Sequence, residues 1–340
     1  MSRIFITGVT GYIGGDVLYG ITQALTSSSI IALVRNEARA AAVTQKFSNV
    51  IPLIGDLDST AKIRQQAQEA DVVLNLASSS HGASAKAIAE GLAKTERKSP
   101  VWIQIGGGSI LSGPDIASKA YGQPGSTLHS DLSGSSEIQN IITASPKRVV
   151  DHILRDLNAS QPNIRTATVY GPLIYGQGRG PVNQRSIQIP ELAKAILNYS
   201  HGVHVGRGLS TWSNIHISDL TRLIVGLVVE ASRQSTSQLW NKNGVFFAES
   251  GRMSFRDIST RMAGFAHSKG LIKSPESVAI DADTADKLTP HGSVLWGTNV
   301  QYQAIRAREL LGWRPQGPGL EEEIPRATLA EAALARPQSL

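Results

Sequence analysis

The sequence predicts an α/β protein: a doubly wound parallel sheet with a smaller C-terminal α/β region. Three observations predict it. Short apolar segments alternate with helical ones through the first half of the chain. Residues 72–77 are almost continuously apolar, as a strand covered on both faces requires. A glycine-rich turn, Thr7-Gly8-Val9-Thr10-Gly11-Tyr12-Ile13-Gly14, follows the first strand pattern and opens the first helix.

The elements follow in order. Residues 3–7 form a short apolar strand. Residues 14–25 read as a helix, with Val17, Leu18, Ile21 and Leu25 at helical spacing. Strands at 30–34 and 50–54 flank an alanine-rich helix at 37–47. A helix at 60–69 precedes the strand at 72–77. A helix at 86–94 leads to a strand at 101–105, and a helix at 146–157 carries Pro146 at its start. Residues 165–169 give a sixth strand. Between them, residues 106–145 are rich in Gly, Ser and Pro, and include Gly106-Gly107-Gly108 and Ser133-Gly134-Ser135-Ser136. So long an irregular stretch reads as a functional loop. Beyond Tyr170 the pattern changes. A loop spans 176–181, helices are expected at 191–199, 218–231, 255–267 and 303–311, and a strand near 245–248. The tail after Ala327 is expected to fray.

Composition limits the chemistry. The chain of 340 residues has no cysteine, which excludes a disulfide, a thiol nucleophile and a Cys-ligated zinc or iron–sulfur centre. With 41% hydrophobic and 18% charged residues it is globular rather than disordered. The net charge of +6, from 33 basic and 27 acidic residues, is scattered. It suits an anionic small molecule better than nucleic acid. No apolar run approaches the ~20 residues that span a bilayer. The N-terminus begins on a strand pattern, so no signal peptide and a cytoplasmic location are expected. Gln338-Ser339-Leu340 is not a convincing peroxisomal address. His201 and His204 lie in a glycine-rich turn without nearby carboxylates, so no metal is expected.

The glycine turn is the clearest functional signal. Gly8 allows a tight turn, Gly11 lets the backbone approach a pyrophosphate, and Gly14 lets the helix pack on the strand. The helix N-terminus offers free N–H groups to phosphates. Gly8, Thr10, Gly11, Tyr12, Ile13 and Gly14 are therefore the candidate cradle. The second strand ends on Arg35, where an NAD site usually carries Asp or Glu. Arg35, with Arg39 nearby, can meet a 2′-phosphate, so NADP(H) is expected over NAD(H). Asp56 and Leu57 are placed beside the adenine, and Ala77 and Ser78 beside the ribose. Asp56 as a helix cap is the alternative.

These motifs carry a resemblance. The turn at 7–14, Gly55-Asp56-Leu57, the Tyr170–Gly178 segment, the Trp212–Leu220 segment and Leu311-Gly312-Trp313-Arg314-Pro315 resemble the extended and atypical short-chain dehydrogenase/reductases, of the fungal NAD(P)-binding epimerase/dehydratase-like kind, over about residues 2–325. The resemblance implies a Rossmann domain at 1–170, a mainly substrate-binding region at 171–325 with some segments returning to the first domain, and a tail at 326–340. It also implies a Ser, a Tyr and a Lys at the catalytic centre. Here the sequence departs from the family, because none of its seven tyrosines has Lys four residues later. By position, Arg148 stands for the Tyr, His152 for the Lys, and Gly106 or Gly107 for the Ser, with Ser109 the nearest hydroxyl.

The candidate catalytic residues are His152, Arg148, Ser109 and Tyr175. An imidazole can take up and release a proton, and a guanidinium can bind an oxyanion. The alternative for Arg148 and His152 is a surface or ribose contact with no chemical role. Tyr121, His129, Tyr170 and Trp296 are candidate pocket residues. His81 and Asp131 are further candidates, whereas His216 is expected to pack. Three functions remain open: an NADP(H)-dependent reductase or dehydrogenase of a small, largely apolar metabolite with a non-standard proton donor; a non-redox isomerase, cyclase or dehydratase on the same scaffold; and a non-catalytic dinucleotide sensor that binds a partner protein. A monomer or homodimer is expected.

Overall fold

The computed structural model describes residues 2–132, 135–233 and 237–335. Ser133, Gly134 and the C-terminal tripeptide considered above lie outside the described residues. The strands and helices alternate without interruption through the first third: β1 (Arg3–Thr7), α1 (Tyr12–Ala24), β2 (Ser29–Val34), α2 (Glu37–Lys46), β3 (Val50–Ile54), α3 (Thr60–Glu69), β4 (Val72–Asn75), α4 (Gly82–Leu92) and β5 (Val101–Gly107). The expected loop follows, but it is not irregular throughout. It holds a 3₁₀ turn at Gly108–Ser112, α5 (Gly113–Ser118), β6 (His129–Ser130) and α6 (Ser135–Thr143). Then come α7 (Val149–Ser160) and β7 (Arg165–Gly171).

The second half runs β8 (Leu173–Tyr175), α8 (Gln188–Tyr199), β9 (Gly202–Val205), β10 (Thr211–His216), α9 (Ile217–Ser232), β11 (Val245–Phe247), β12 (Gly251–Ser254) and α10 (Phe255–Ser268). It ends with β13 (Ser277–Ile280), α11 (Ala282–Leu288), α12 (Gly292–Gly297), β14 (Tyr302–Gln303), α13 (Arg306–Leu310) and α14 (Leu320–Ala335). Two expectations are corrected. The chain does not fray after Ala327; α14 continues to Ala335, because Ile324, Thr328 and Ala332 face the core. The helix expected from Pro146 starts at Val149, because the Arg148 N–H closes a turn on the Ser145 carbonyl at 2.9 Å and places Arg148 at the N-cap.

The main sheet has seven strands in the order β11-β7-β5-β4-β1-β2-β3, all parallel. The order reverses beside β1, so a crevice opens between β1 and β4 at their C-terminal ends, where such sheets bind ligands. Both faces are covered. α1 and α9 bury Val17, Leu18, Ile21, Leu223, Ile224 and Leu227 on one. α3, α4 and α7 bury Ile63, Ile88, Leu92 and Leu154 against Trp102 on the other. Each such side chain contributes about 1.5–3 kcal/mol on burial. Smaller sheets, β12-β10-β8, β13-β9 and β14-β6, lie beyond the strand ends.

Candidate functional site

The crevice is shaped by glycine. Gly8 sits at φ +85°, a conformation that costs other residues, and a Cβ there would stand 2.7 Å from the Ala77 backbone nitrogen. A Cβ on Gly14 would stand 2.2 Å from the Gly8 carbonyl oxygen, so α1 can lie this close to β1 only with glycine at that position. A Cβ on Gly11 would meet only the Gly8 carbonyl oxygen, at 3.2 Å. Gly11 is the N-cap of α1, with no side-chain hydrogen bond and no acidic residue in the first turn. The positive end of the helix is therefore left to its own N–H groups. Such an end is a ready site for phosphate, so the residues present fit a dinucleotide.

The neighbours of the cradle are held in place. The Thr10 carbonyl accepts from the Asn183 N–H at 3.3 Å, and the Tyr12 hydroxyl donates to the Gly176 carbonyl at 2.7 Å. Ile13 is half-buried. Burial, with the Asp16 carboxylate behind it, pushes the Tyr12 phenol well above its usual range. Tyr12 is thus a neutral donor that ties the cradle to the 176–187 segment. Beneath the strand ends runs a buried polar chain: Thr7 donates to Asn75 at 2.6 Å, Asn75 to Gln104 at 2.8 Å, and Gln104 to the Ser78 carbonyl at 3.1 Å. It fixes the ends of β1, β4 and β5 relative to Ser78.

Arg35 and Arg39 stand at the end of β2 and the first turn of α2. Among the described residues neither side chain has a hydrogen bond or ion pair, and Asn36 caps the helix on the Arg39 N–H. Asp56 is exposed. Its carboxylate accepts from the Ser59 hydroxyl at 2.9 Å and from the Asp58 N–H, which holds it below the usual carboxylate range. It therefore shapes the turn before α3 without being the N-cap, which is Ser59. Leu57 is half-buried beside it and Ala77 is exposed. His81 caps α4, with Nδ1 3.2 Å from the Ser84 N–H.

The ends of β5 and β7 bring several candidates together. Gly106 pairs with Tyr170 and Gly107 with Gly171. A Cβ on Gly106 would stand 2.5 Å from the Tyr170 ring. Glycine at that position thus makes room for the aromatic ring. Tyr170 is 1% exposed, and its hydroxyl donates to Asp151 at 2.6 Å. Burial pushes the Asp151 carboxyl up from its ordinary value, against the Tyr170 hydrogen bond and the charges of Arg148 and His152. Ser109 follows in the 3₁₀ turn, half-buried, and its hydroxyl has no partner among the described residues. The His152 Nε2 lies 3.1 Å from the Ser145 carbonyl. A carbonyl only accepts, so Nε2 carries a proton and, in a neutral ring, Nδ1 is the acceptor.

Other candidates lie elsewhere. Tyr175 is 1% exposed, and its hydroxyl donates to the Pro318 carbonyl at 3.0 Å. It lines a separate cavity of about 710 Å³ with His216 and Glu323. Trp296 is also 1% exposed, with its indole on the Gln188 carbonyl; the expected cleft wall is a core side chain. Tyr121 packs near Gly297 and Val205. His129 lies on β6, 3.2 Å from Glu137. Asp131, fully buried, accepts from the N–H groups of Phe247, Ile305 and Arg306, so it joins β11 to α13. His216 caps α9. Asp151 was missed from sequence because its partner is 19 residues away, on a strand whose register no local pattern reveals.

No family model matches the sequence. The chain is 31% identical over 332 residues to a fungal protein named oxidase ucsJ, from Acremonium sp, covering 95% of each. Solved structures share the fold. A UDP-glucuronic acid 4-epimerase from Bacillus cereus, in complex with UDP-glucuronic acid and NAD, has a TM-score of 0.66 at 14% identity, over 98% of this chain and 100% of that one. A dTDP-glucose 4,6-dehydratase from Bacillus anthracis, in complex with NAD, has a TM-score of 0.66 at 12% identity, over 97% and 96%.

Proposed function

The chain belongs to the extended short-chain dehydrogenase/reductase superfamily, and from that premise we propose that it is an NADP(H)-dependent oxidoreductase of a small, largely apolar substrate, with a proton donor other than the family's tyrosine. The observation that carries the reading is the uncapped N-terminus of α1 over Gly8, Gly11 and Gly14. The N–H groups of Tyr12, Ile13 and Gly14 would hold the pyrophosphate. Asp56 and Leu57 would flank the adenine, and Ala77 and Ser78 the ribose. Arg35 and Arg39 would meet the 2′-phosphate with charge-assisted hydrogen bonds. When bound, the nicotinamide gives or takes a hydride. The oxidase name of the fungal relative supports redox chemistry.

The proton must come from another residue. The Ser109 hydroxyl, without a partner among the described residues at the end of β5, and the Arg148–His152 turn at the start of α7 are the candidates. Arg148 would stabilise a developing oxyanion, and His152 would hold or pass the proton. Tyr175 stays behind them, because its hydroxyl is already used. One observation favours a second reading. With no Tyr followed four residues on by Lys, a non-redox isomerase, cyclase or dehydratase on the same scaffold would keep the cradle and dispense with the relay.

Thermal unfolding with NADP⁺ and with NAD⁺ tests the cofactor. NADP⁺ is expected to bind roughly tenfold tighter, and Arg35→Ala to remove most of that difference, because one charged hydrogen bond contributes about 1.5–3 kcal/mol. Equal stabilisation by both would remove the preference. Turnover without change in nicotinamide absorbance would select the non-redox reading.

A further inference from the structure

We propose that Ser145 is a modification site, phosphorylated by a proline-directed protein kinase, and that the phosphate is then held by His152 and Arg155 of α7. The residues that present it read Ser145-Pro146-Lys147-Arg148, a serine followed by proline and two bases. Proline biases the residue before it toward the extended form that a kinase cleft takes, and it asks for no partner to its own nitrogen. The two bases offer charge to an acidic kinase surface. The chain has three other serines or threonines before proline, Ser99, Ser274 and Thr289, and none is followed by Lys or Arg at the two positions after the proline.

The turn faces solvent. It joins α6 to α7, with Thr143, Ala144, Pro146 and Lys147 exposed and Ser145 half-buried. The Ser145 hydroxyl reaches solvent and has no hydrogen-bond partner among the described residues. The backbone of Ser145, not its side chain, fixes the turn. Its N–H donates to the Ile142 carbonyl at 3.0 Å, and its carbonyl accepts from the Arg148 N–H at 2.9 Å and lies 3.1 Å from His152 Nε2. The hydroxyl is therefore free to be modified without loss of the turn.

The charge around the turn is mainly positive. Arg155 reaches back to it, Nη1 donating to the Thr143 hydroxyl at 3.2 Å. Lys147 and Arg148 have no ion-pair partner among the described residues. Of the two carboxylates on this part of α7, Asp151 is buried and accepts from Tyr170, and the exposed Asp156 lies 3.3 Å from Arg155. Phosphorylation forms a bond from Ser145 Oγ to the γ-phosphorus of a nucleoside triphosphate and breaks the bond to the leaving diphosphate; the hydroxyl proton goes to the kinase's base. The product carries a charge of about −1.5 to −2 and three acceptor oxygens. Attached beside the Ser145 carbonyl, they compete with it for the His152 Nε2–H and pair with Arg155. The imidazole is then engaged and no longer passes a proton, so the modification switches the site off. That consequence, unlike the modification itself, rests on the proposed function.

Incubation of the intact protein with ATP, Mg²⁺ and a purified cyclin-dependent kinase, which is proline-directed, tests this, with mass spectrometry to count and place the phosphate. Uptake at Ser145 is expected, and none there in Ser145→Ala, which keeps the carbonyl that closes the turn. The phosphorylated protein should melt roughly 2 °C higher than the unmodified one, as new charge-assisted hydrogen bonds predict. Arg155→Gln should still take up phosphate but lose most of that rise. Inorganic phosphate alone should not produce it. No uptake at Ser145, uptake mainly at Ser99, Ser274 or Thr289, a rise that persists in Arg155→Gln, or a rise with inorganic phosphate alone would each overturn the proposal. Phosphorylation should also lower turnover and Ser145→Ala should keep it; unchanged turnover in the phosphorylated protein would overturn the switch. Uptake and melting need neither dinucleotide nor substrate, so a protein that binds no dinucleotide would count only against the proposed function.

Discussion

Two glycines of the cradle, three residues apart, should respond to the same substitution in different ways. At Gly14 an added methyl group meets the Gly8 carbonyl oxygen at 2.2 Å, and that oxygen is backbone. Gly14→Ala is expected to cost roughly 3 kcal/mol of stability, the upper part of the range for overpacking. At Gly11 the same methyl meets that oxygen at 3.2 Å, and a shift of a few tenths of an ångström relieves it. Gly11→Ala should therefore fold with a near-normal melting temperature. It should also lose at least roughly tenfold in dinucleotide affinity, because the methyl occupies the path of the pyrophosphate. If Gly11→Ala bound the dinucleotide as well as the parent, the cradle would not be where the phosphates sit. Asp151 gives a pH test. Burial raises its carboxyl in the folded state above the unfolded value, so the folded chain keeps this proton to a higher pH than the unfolded one. Stability is then lost as pH rises through that window. Asp151→Asn retains an acceptor for Tyr170 and should remove the loss, leaving the protein at least as stable near neutral pH. Melting curves of both proteins across pH would show the gap opening as pH rises. The glycine turn was legible because its meaning lies in a local strand–turn–helix. The Asp151–Tyr170 pair was not, because it joins two elements.

Among elements, the contact that most constrains the site is the one between α1 and the 176–187 segment. Asp16 is fully buried in α1, and Arg179 grips both of its oxygens, at 2.9 and 2.7 Å. Thr221 of α9 donates to the same carboxylate at 2.6 Å. Burial works against the charge of Asp16, but the hydrogen bonds from Arg179 and Thr221 outweigh it and hold the carboxyl below its ordinary value. The stability this gives is present above the unfolded value and is lost as pH falls through the folded one. Arg179→Gln leaves a buried carboxylate half-satisfied. Arg179 is itself partly exposed, so the cost is placed below that of breaking a fully buried pair, at about 2–3 kcal/mol. It should also reverse the acid response, since Asp16 without Arg179 becomes a carboxyl that prefers its proton. Melting across pH decides this, and an unchanged acid limb would show that Asp16 does not carry it. The sequence marked 176–181 as a loop but said nothing of Asp16, which sits one turn into a helix whose glycines drew the reading.

For the molecule as a whole, the existence of the first six sheet strands followed from apolar segments alternating with helical ones, and the seventh is where the boundary at residue 170 meets the structure. β11 comes from the second half of the chain and pairs with β7, register Val245 with Thr168 to Phe247 with Tyr170. Val245, Phe246 and Phe247 are at most 4% exposed. Phe247 stacks on Tyr302 at 4.1 Å, and the Tyr302 hydroxyl donates to the Tyr170 carbonyl. A fragment of residues 1–170 would lose these contacts and expose the edge of β7, a template for aggregation. No local periodicity predicts that return, because β11 has only three residues and its partner is fixed by tertiary packing. Calorimetry of the intact protein should therefore show one cooperative transition, whose midpoint rises with NADP⁺ concentration as ligand linkage requires. The 1–170 fragment should neither melt cooperatively nor bind the dinucleotide. Two separable transitions, or a soluble fragment that binds NADP⁺, would show instead that the cradle is an independent domain and that the second half only docks onto it.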